Sequence, residues 1–257
     1  MSNFADSMKL RLTALLGLLA CIVSCAAGVK DYKVSVVSSY PHDTGAYTQG
    51  LFFHGDTLYE STGQYGESCF RMVDYQTGAV LRNIAFSDKY FGEGSCMLDG
   101  KLYILTWTNK VAFVYDAATL KYERTWSYPR EGWGLTTDGK RLYASDGTNR
   151  IYVLTPDFKL ERTIFVKLDG APLRYLNELE WVDGKIWANV YTTDMIVVID
   201  PKDGKVESRI DCSGLWPHKL RTPDADVLNG IAVNSRGEIF LTGKNWPRLY
   251  QVKLEKI

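Results

Sequence analysis

The chain has 257 residues, 46% of them hydrophobic, which is enough for one sizeable core and within the range of undivided all-β domains. Its 30 basic and 30 acidic residues cancel, which argues against a broad charged footprint for nucleic acid or for an anionic membrane. The three histidines do not cluster and no CxxC pair is present, so the sequence gives little support to a metal site or to a Ser-His-Asp triad.

The N-terminal segment has the pattern of an export signal. Lys9 and Arg11 precede an apolar run over residues 12–23, which ends in small residues and is short for a membrane span. We therefore expect residues 1–27 to be a signal peptide, and the protein to reach the periplasm or the cell envelope.

The end of this segment also resembles a bacterial lipobox, in Ile22-Val23-Ser24-Cys25. This predicts lipidation at Cys25, with a lipid anchor as the protein's only link to a membrane. Cys21 is a weaker candidate for acylation, and plain cleavage near Ala26 or Ala27 is the alternative. Beyond the segment three cysteines remain, and an oxidising compartment would permit one disulfide among them: Cys69, Cys96 and Cys212.

Beyond about residue 30 the chain repeats a unit of short strands. Asp-Gly and similar dipeptides between alternating apolar runs predict five β-hairpins, at residues 51–59, 96–104, 135–143, 179–187 and 232–240. Each hairpin is followed by a third strand, and most by a fourth. A period of roughly 40 to 50 residues with four strands per unit is typical of a β-propeller.

The fifth unit ends one strand short, and the strand at residues 32–37 can complete it. The predicted fold is therefore all-β, a five-bladed β-propeller over residues 28–257, in which the N-terminal strand pairs into the last blade and closes the ring. Residues 213–227 are predicted to form a loop over one face. We expect a single catalytic domain and a monomer.

A Gly-flanked slot opens each unit, as in Phe91-Gly92-Glu93-Gly94-Ser95. The innermost strand of each propeller blade starts at the central channel, so the slot residues should converge at one mouth. These residues are Gln49, Glu93, Trp133, Asn177 and Asn229. Glu93 alone among them carries a charge.

Short motifs in a fixed order extend over nearly all of the chain beyond the export segment. They include Tyr40-Pro41-His42-Asp43, Tyr47-Thr48-Gln49-Gly50-Leu51, Phe91-Gly92-Glu93-Gly94, Leu105-Thr106-Trp107, Glu131-Gly132-Trp133-Gly134-Leu135, Leu176-Asn177-Glu178-Leu179-Glu180, Asn229-Gly230-Ile231-Ala232 and Thr242-Gly243-Lys244-Asn245-Trp246-Pro247. Together they resemble the plant and bacterial glutaminyl-peptide cyclotransferases of the metal-free propeller type.

The resemblance implies an enzyme without a cofactor, which converts the N-terminal glutaminyl residue of a peptide or protein to pyroglutamyl and releases ammonia. It implies proton transfer by Glu93. It also implies polar substrate contacts from Gln49, Asn177 and Lys244, and aromatic contacts from Phe91, Trp107 and Trp133. Tyr191 departs from the family pattern, which usually has Trp there, and this departure bears on the width or affinity of the pocket and not on the chemistry.

The residues are consistent with this reaction. The α-amine of the substrate attacks an amide carbonyl to which it is already tethered, so the enzyme has to select a conformer and move a proton. A carboxyl group such as Glu93 can do this, and neighbouring Trp107 and Trp133 would raise its pKa by desolvation. Lys244 either pairs with Glu93 or faces the developing oxyanion; the sequence leaves both open. Neutral amides such as Gln49 suit a carboxamide substrate.

Two other functions remain open at this point. Glu93, Asn177, Asn229 and Asp146 could form an oxygen cage for calcium, as in a metal-dependent propeller hydrolase of the lactonase kind. The channel mouth could also hold a peptide without converting it, as a non-enzymatic binding propeller.

Overall fold

The computed structural model describes residues 28–257, so the predicted signal peptide and Cys25 lie outside the described residues. Within that range the regular structure is β-strand apart from a 3₁₀ turn at His218–Leu220, which confirms the all-β prediction. No helix in residues 28–257 has the length and apolar character needed to cross a bilayer. The strands are β1 (Lys30–Pro41), β2 (Thr48–His54), β3 (Thr57–Thr62), β4 (Cys69–Asp74), β5 (Ala79–Ala85), β6 (Gly92–Leu98), β7 (Lys101–Thr106), β8 (Val111–Asp116), β9 (Tyr122–Ser127), β10 (Leu135–Thr137), β11 (Leu142–Ser145), β12 (Arg150–Leu154), β13 (Leu160–Phe165), β14 (Lys167–Leu168), β15 (Ala171–Pro172), β16 (Leu176–Val182), β17 (Lys185–Val190), β18 (Met195–Ile199), β19 (Val206–Asp211), β20 (Leu228–Val233), β21 (Ile239–Gly243) and β22 (Arg248–Lys256).

The strands form three four-stranded sheets, one eight-stranded sheet and a two-stranded hairpin. The four-stranded sheets follow chain order, as β2 to β5, β6 to β9 and β10 to β13. The strands also fall into five runs in chain order, which begin with β2, β6, β10, β16 and β20. In each run the tight turn between the first two strands has a glycine at positive φ, a conformation that is strained for a residue with a side chain. These glycines are Gly55, Gly100, Gly139, Gly184 and Gly237, each in a hairpin that the sequence predicts.

The eight-stranded sheet is ordered β16-β17-β18-β19-β1-β22-β21-β20. β1 pairs antiparallel with β22 from Tyr32 opposite Lys256 to Pro41 opposite Arg248, as the missing strand of the fifth unit predicts. β1 also pairs in parallel with β19, opposite Ser208 to Asp211. This second pairing, which the sequence analysis did not anticipate, joins two runs of four strands into one sheet.

The first strands of the five runs lie side by side in a closed circuit. β2 contacts β6, β6 contacts β10, β10 contacts β16, β16 contacts β20, and β20 contacts β2. Five hydrophobic clusters fill the spaces between neighbouring runs. Phe70 of the first run, for example, is buried in the same cluster as Leu102 and Ile104 of the second. This packing brings the starts of the five first strands to one place.

Candidate active site

Four of the five first strands are irregular at the slot that the sequence singles out. The pairing register shifts between Thr48 and Gly50 in β2 and between Gly92 and Ser95 in β6. It shifts in the same way between Leu176 and Leu179 in β16 and between Leu228 and Ile231 in β20. A bulge of this kind breaks the alternation of side chains and redirects one of them. The redirected residues include Gln49, Glu93, Asn177 and Asn229.

Glycine at these slots lets the first strands approach one another closely. A Cβ at Gly134 would collide with the carbonyl oxygen of Asn177, and one at Gly94 would collide with the backbone of Leu135. The fourth slot has Glu178 at this place, and its buried carboxylate accepts hydrogen bonds from Leu51 N at 3.2 Å and Ile231 N at 3.0 Å. Glu178 therefore joins three first strands.

One pocket of about 230 Å³ lies at this end of the first strands. Eight of the nine side chains predicted for the site line it, and the exception is Asn229. The lining residues are Tyr47, Gln49, Gln64, Phe91, Glu93, Trp107, Trp133, Asn177, Tyr191 and Lys244.

Glu93 is the buried carboxyl group of the pocket, with 3% of its surface exposed. Its Oε1 accepts a hydrogen bond of 3.2 Å from Gln49 Nε2, and its Oε2 has no hydrogen-bond partner among the described residues. Burial raises the pKa of the Glu93 carboxyl well above its usual range; Lys244 opposes this rise and Glu131 adds to it. Glu93 thus has one oxygen held by Gln49 and one oxygen free to meet a ligand.

Asn229 stands behind Gln49 instead of contacting the pocket. Its Nδ2 donates to Gln49 Oε1 at 3.3 Å and to the carbonyl oxygen of Thr48 at 2.9 Å. Because the Gln49 Oε1 accepts from Asn229, the Gln49 Nε2 group is the one that faces Glu93 and donates to it. Asn229 therefore orients Gln49 through its Nδ2, while its own Oδ1 has no hydrogen-bond partner among the described residues, and its predicted substrate contact stays a prediction.

Asn177 is buried with its side-chain oxygen free. Its Oδ1 has no hydrogen-bond partner among the described residues, while its backbone oxygen accepts from Ser145 Oγ at 2.7 Å. Buried acceptors are usually satisfied, and an unpaired one that lines a pocket is suited to a ligand donor. An amide N–H₂ is one such donor.

Lys244 follows β21 and is buried, with 3% of its surface exposed. Its Nζ lies 4.6 Å from the ring centre of Tyr47 and 4.8 Å from that of Tyr191. Burial lowers the pKa of the Lys244 amine, and the negative charges of Glu93 and Asp226 partly oppose this. Within residues 28–257 no ion pair joins Lys244 to Glu93, which favours the alternative in which the ammonium faces the pocket.

Aromatic rings form the remaining wall. Phe91 packs edge-on against Trp107 with ring centres 5.4 Å apart, and Trp133 packs edge-on against Tyr191 at 5.5 Å. The two tryptophans are held together by Glu131, whose Oε2 accepts from the indole N–H of Trp107 at 2.9 Å and of Trp133 at 3.2 Å.

Three residues of this site are absent from the sequence-based set. Tyr47 and Gln64 line the pocket, and Glu131 orients its tryptophans. A signal for Tyr47 was present, because it precedes Gln49 by two positions as Phe91 precedes Glu93. Gln64 has a positive φ of 90° in the turn after β3, a backbone feature that no motif announces.

The residues needed for the calcium cage do not meet. Asp146 does not line the pocket; its carboxylate accepts from Thr148 Oγ1 at 2.5 Å and from Tyr152 at 2.8 Å. Asn229 turns its amide to Gln49, as described above. The three cysteines are free thiols, so the permitted disulfide is not formed in the part of the chain that the structure describes.

Comparisons with known proteins agree on one family of enzymes. The family model for glutamine cyclotransferase matches residues 10–254. A curated Arabidopsis thaliana protein, glutaminyl-peptide cyclotransferase, is 43% identical over 230 residues, which cover 87% of this chain and 72% of that protein. The crystal structure of Myxococcus xanthus glutaminyl cyclase matches with a TM-score of 0.82 and 36% identity, over 89% of this chain and 99% of that one.

Proposed function

We propose that this chain, which belongs to the glutamine cyclotransferase family, converts N-terminal glutaminyl residues of peptides and proteins to pyroglutamyl residues with release of ammonia. The observation that carries the proposal is the Glu93 carboxyl group. It is buried in a pocket of amides and aromatic rings, with one oxygen on Gln49 and the other without a partner among the described residues.

Glu93 moves one proton in this reaction. The N–C bond forms when the substrate α-amine attacks its own side-chain carbonyl carbon, and Glu93 accepts the proton that the amine loses. The bond between that carbon and the amide nitrogen then breaks, and Glu93 returns the proton so that the nitrogen leaves as ammonia. Burial raises the pKa of the Glu93 carboxyl toward that of the substrate α-amine, whose ordinary pKa is about 7.7 to 8, so that transfer of a proton between the two groups becomes easier.

Lys244 stabilises the negative charge that develops on the carbonyl oxygen. The Lys244 side chain is buried and lines the pocket. Within residues 28–257 it forms no ion pair with Glu93, so its ammonium is available to the substrate. A cation that is already in place acts on the transition state without reorganisation, which is the most effective form of electrostatic catalysis.

Asn177 and Gln49 hold the glutaminyl side chain. The free Oδ1 of Asn177 accepts an N–H of the substrate carboxamide, which a substrate carboxylate could not donate. This contact favours Gln over Glu at the N-terminus. Phe91, Trp107, Trp133 and Tyr191 enclose the side chain and exclude water, so that the curled conformer required for attack is selected.

We also propose that the fold is a five-bladed β-propeller over residues 28–257. The eight-stranded sheet then counts as two blades, β16 to β19 and β20 to β22 with β1, joined by the parallel pairing of β1 and β19. The closed circuit of contacts among the five first strands supports this count.

For the segment outside the described residues, the proposal is export with lipidation at Cys25, and for the mature protein a monomer. The first point is tested by the mass of the N-terminal peptide of protein purified from a bacterial cell envelope. Acylation adds the mass of a lipid, and this added mass should be absent in the Cys25→Ser variant. Light scattering tests the second.

The activity is tested with a Gln-initiated peptide, by ammonia release and by mass spectrometry of the product. The matched control is the same peptide with an acetylated N-terminus, which lacks the nucleophile. We expect product only from the free amine and an unchanged rate with a chelator. If the free peptide yields neither ammonia nor a pyroglutamyl product, the proposed function is wrong; binding without product would favour the non-enzymatic alternative.

A further inference from the structure

The surroundings of Lys244 contain a second acidic group that the reaction steps above do not use. Asp226 ends the long loop before β20, and it accepts a hydrogen bond of 2.7 Å from the Tyr47 hydroxyl at its Oδ2. The ring of this same Tyr47 is the one that lies 4.6 Å from Lys244 Nζ. Tyr47 is therefore placed between a carboxylate and an ammonium.

This arrangement strengthens the attraction between the ring and the cation. A phenol that donates to a carboxylate gains electron density, and the negative face of its ring then attracts a cation more strongly. The ring of Tyr191 contacts the same ammonium at 4.8 Å. Two ring faces thus replace the water that Lys244 loses on burial.

The backbone holds the two charged residues next to each other. Asp226 N donates to the Lys244 carbonyl oxygen at 3.0 Å, and Lys244 N donates to the carbonyl oxygen of Val227 at 3.0 Å. The indole N–H of Trp246 donates to the Asp226 carbonyl oxygen at 2.9 Å. The long loop and the turn after β21 are therefore joined at the residues that matter for the pocket.

We propose that Tyr47 and Asp226 are positioning residues, which keep the Lys244 side chain charged and aimed at the reacting carbonyl group. The inference rests on the proposed function, in which Lys244 stabilises the oxyanion. It also assigns a purpose to the end of the 213–227 loop, which lies outside the repeat of strands.

The need for Asp226 arises when Glu93 carries the proton. The charged or titratable groups that face Lys244 are Glu93 in β6, Asp226 in the loop, Tyr47 before β2 and Tyr191 after β17. Glu93 is neutral once it has accepted the substrate proton. Among these four groups, Asp226 is then the one that still carries a negative charge, at the moment when the oxyanion depends on the ammonium.

The experiment compares Asp226→Asn and Tyr47→Phe with a control, Asp224→Asn, which removes an exposed carboxylate from the same loop. The Lys244 amine is titrated by NMR in protein labelled at lysine Cε, and its signal is assigned by its loss in Lys244→Met. In parallel, kcat/KM for a Gln-initiated peptide is measured across pH.

We expect Asp226→Asn to move the Lys244 titration to lower pH, because an anion that favours the ammonium is gone. The alkaline limb of kcat/KM moves in the same direction, so that the loss at alkaline pH exceeds the loss at neutral pH by about 5-fold. Tyr47→Phe keeps the ring and should shift both curves less, in the same direction. Asp224→Asn should shift neither.

The inference is wrong if the Lys244 titration is the same in wild type, Asp226→Asn and Tyr47→Phe, even if activity falls, since a purely structural role lowers activity equally at every pH. If the wild-type protein makes no pyroglutamyl peptide but the titration shifts as expected, the proposed function fails and the electrostatic inference stands. If Asp226→Asn does not fold, Tyr47→Phe decides.

Discussion

Two fully buried glutamates at this end of the molecule have opposite surroundings. Glu60 in β3 accepts from His42 Nε2 at 3.0 Å, from Thr48 at 2.6 Å and from Arg71 Nε at 2.9 Å. Burial alone would raise its pKa, but Arg71, His42 and these hydrogen bonds hold the pKa of Glu60 far below its usual range. Glu93, which is equally buried, has a single hydrogen bond and a raised pKa.

The difference shows that partners, more than burial, decide what a buried carboxyl group does. Glu60 is saturated, stays charged and connects the loop at His42 to β4, and His42 Nδ1 reaches the carbonyl oxygen of Trp246 at 2.6 Å. Its network holds in place the turn that carries Lys244. Glu93 has a single hydrogen bond, which costs stability, and its raised pKa is what the proposed proton transfer requires.

Replacing Glu93, the carboxyl group with a single hydrogen bond, gives the largest effect that we expect. Glu93→Gln should lower kcat by about 10²- to 10⁴-fold, because an amide cannot carry the proton. The folded wild-type protein binds the Glu93 proton more tightly than the unfolded chain does, so wild type loses stability as pH rises above about 4.5. The variant does not have this loss, and its free energy of unfolding should equal or exceed that of wild type in this range. Turnover of a Gln-initiated peptide and denaturant unfolding at several pH values measure both. Turnover within threefold of wild type would contradict the assignment.

Replacing Glu60, the carboxyl group with several partners, should instead lower the free energy of unfolding. Glu60→Gln leaves the buried Arg71 guanidinium with the half-exposed Asp43 as its remaining carboxylate partner, and removal of one member of a buried ion pair costs about 3–5 kcal/mol. We expect this decrease in the free energy of unfolding, measured by denaturant titration. A stability unchanged from wild type would show that the network around Glu60 is not what holds this region.

Pocket shape can be separated from the chemistry of either carboxyl at Gly63. A Cβ there would collide with the Phe91 ring, so this ring, which lines the pocket, must move. We expect Gly63→Ala to raise KM for a Gln-initiated peptide by about tenfold, equivalent to about 1.4 kcal/mol of binding, with a smaller change in kcat. Gly214→Ala is the control, because a Cβ at Gly214 meets no atom within 4 Å. Equal KM values in the two variants would contradict this account of Phe91.

The smallest effect concerns one partner of Glu60. Burial alone would lower the pKa of His42, but Glu60 and the Trp246 carbonyl outweigh it and raise that pKa above its ordinary value of 6.5. The folded state therefore binds the proton more tightly, so the stabilisation is complete below about pH 6.5 and is lost as pH rises through the folded pKa. One proton gives a slope of at most about 1.4 kcal/mol per pH unit in this window.

We expect His42→Gln to flatten this dependence, as measured by denaturant unfolding between pH 6 and 9. A variant whose stability still falls with pH as steeply as that of wild type would place the titrating group elsewhere.

The strand pattern could be predicted from the sequence because its signals are local. A turn such as the one at Gly100, with φ of 71°, needs only its dipeptide and the alternating residues on either side. The pocket could be anticipated because the slots repeat, so that Gln49, Glu93 and Asn177 occupy corresponding places in successive units. The family resemblance added Lys244, Phe91, Trp107 and Tyr191, which lie around the same pocket.

What the sequence did not predict depends on contacts between distant segments. The Asn229 side chain turns to Gln49, 180 positions away, because a bulge redirects it. The bond from Tyr47 to Asp226 crosses 179 positions and involves a loop that has no counterpart in the other units. Glu60 stands between Tyr59 and Ser61 in the sequence, and nothing in this local pattern indicates a buried ion pair.

The double pairing of β1 has a consequence for how the molecule is assembled. Tyr40 in this strand meets Gln251 across 211 positions, so its antiparallel partner is synthesised long after β1. Until β22 is made, the edge of β1 that faces away from β19 is unpaired, and strands of other molecules can add there. Contacts this remote in sequence also form slowly. A nascent chain should therefore need protection at this edge of β1 until β22 covers it.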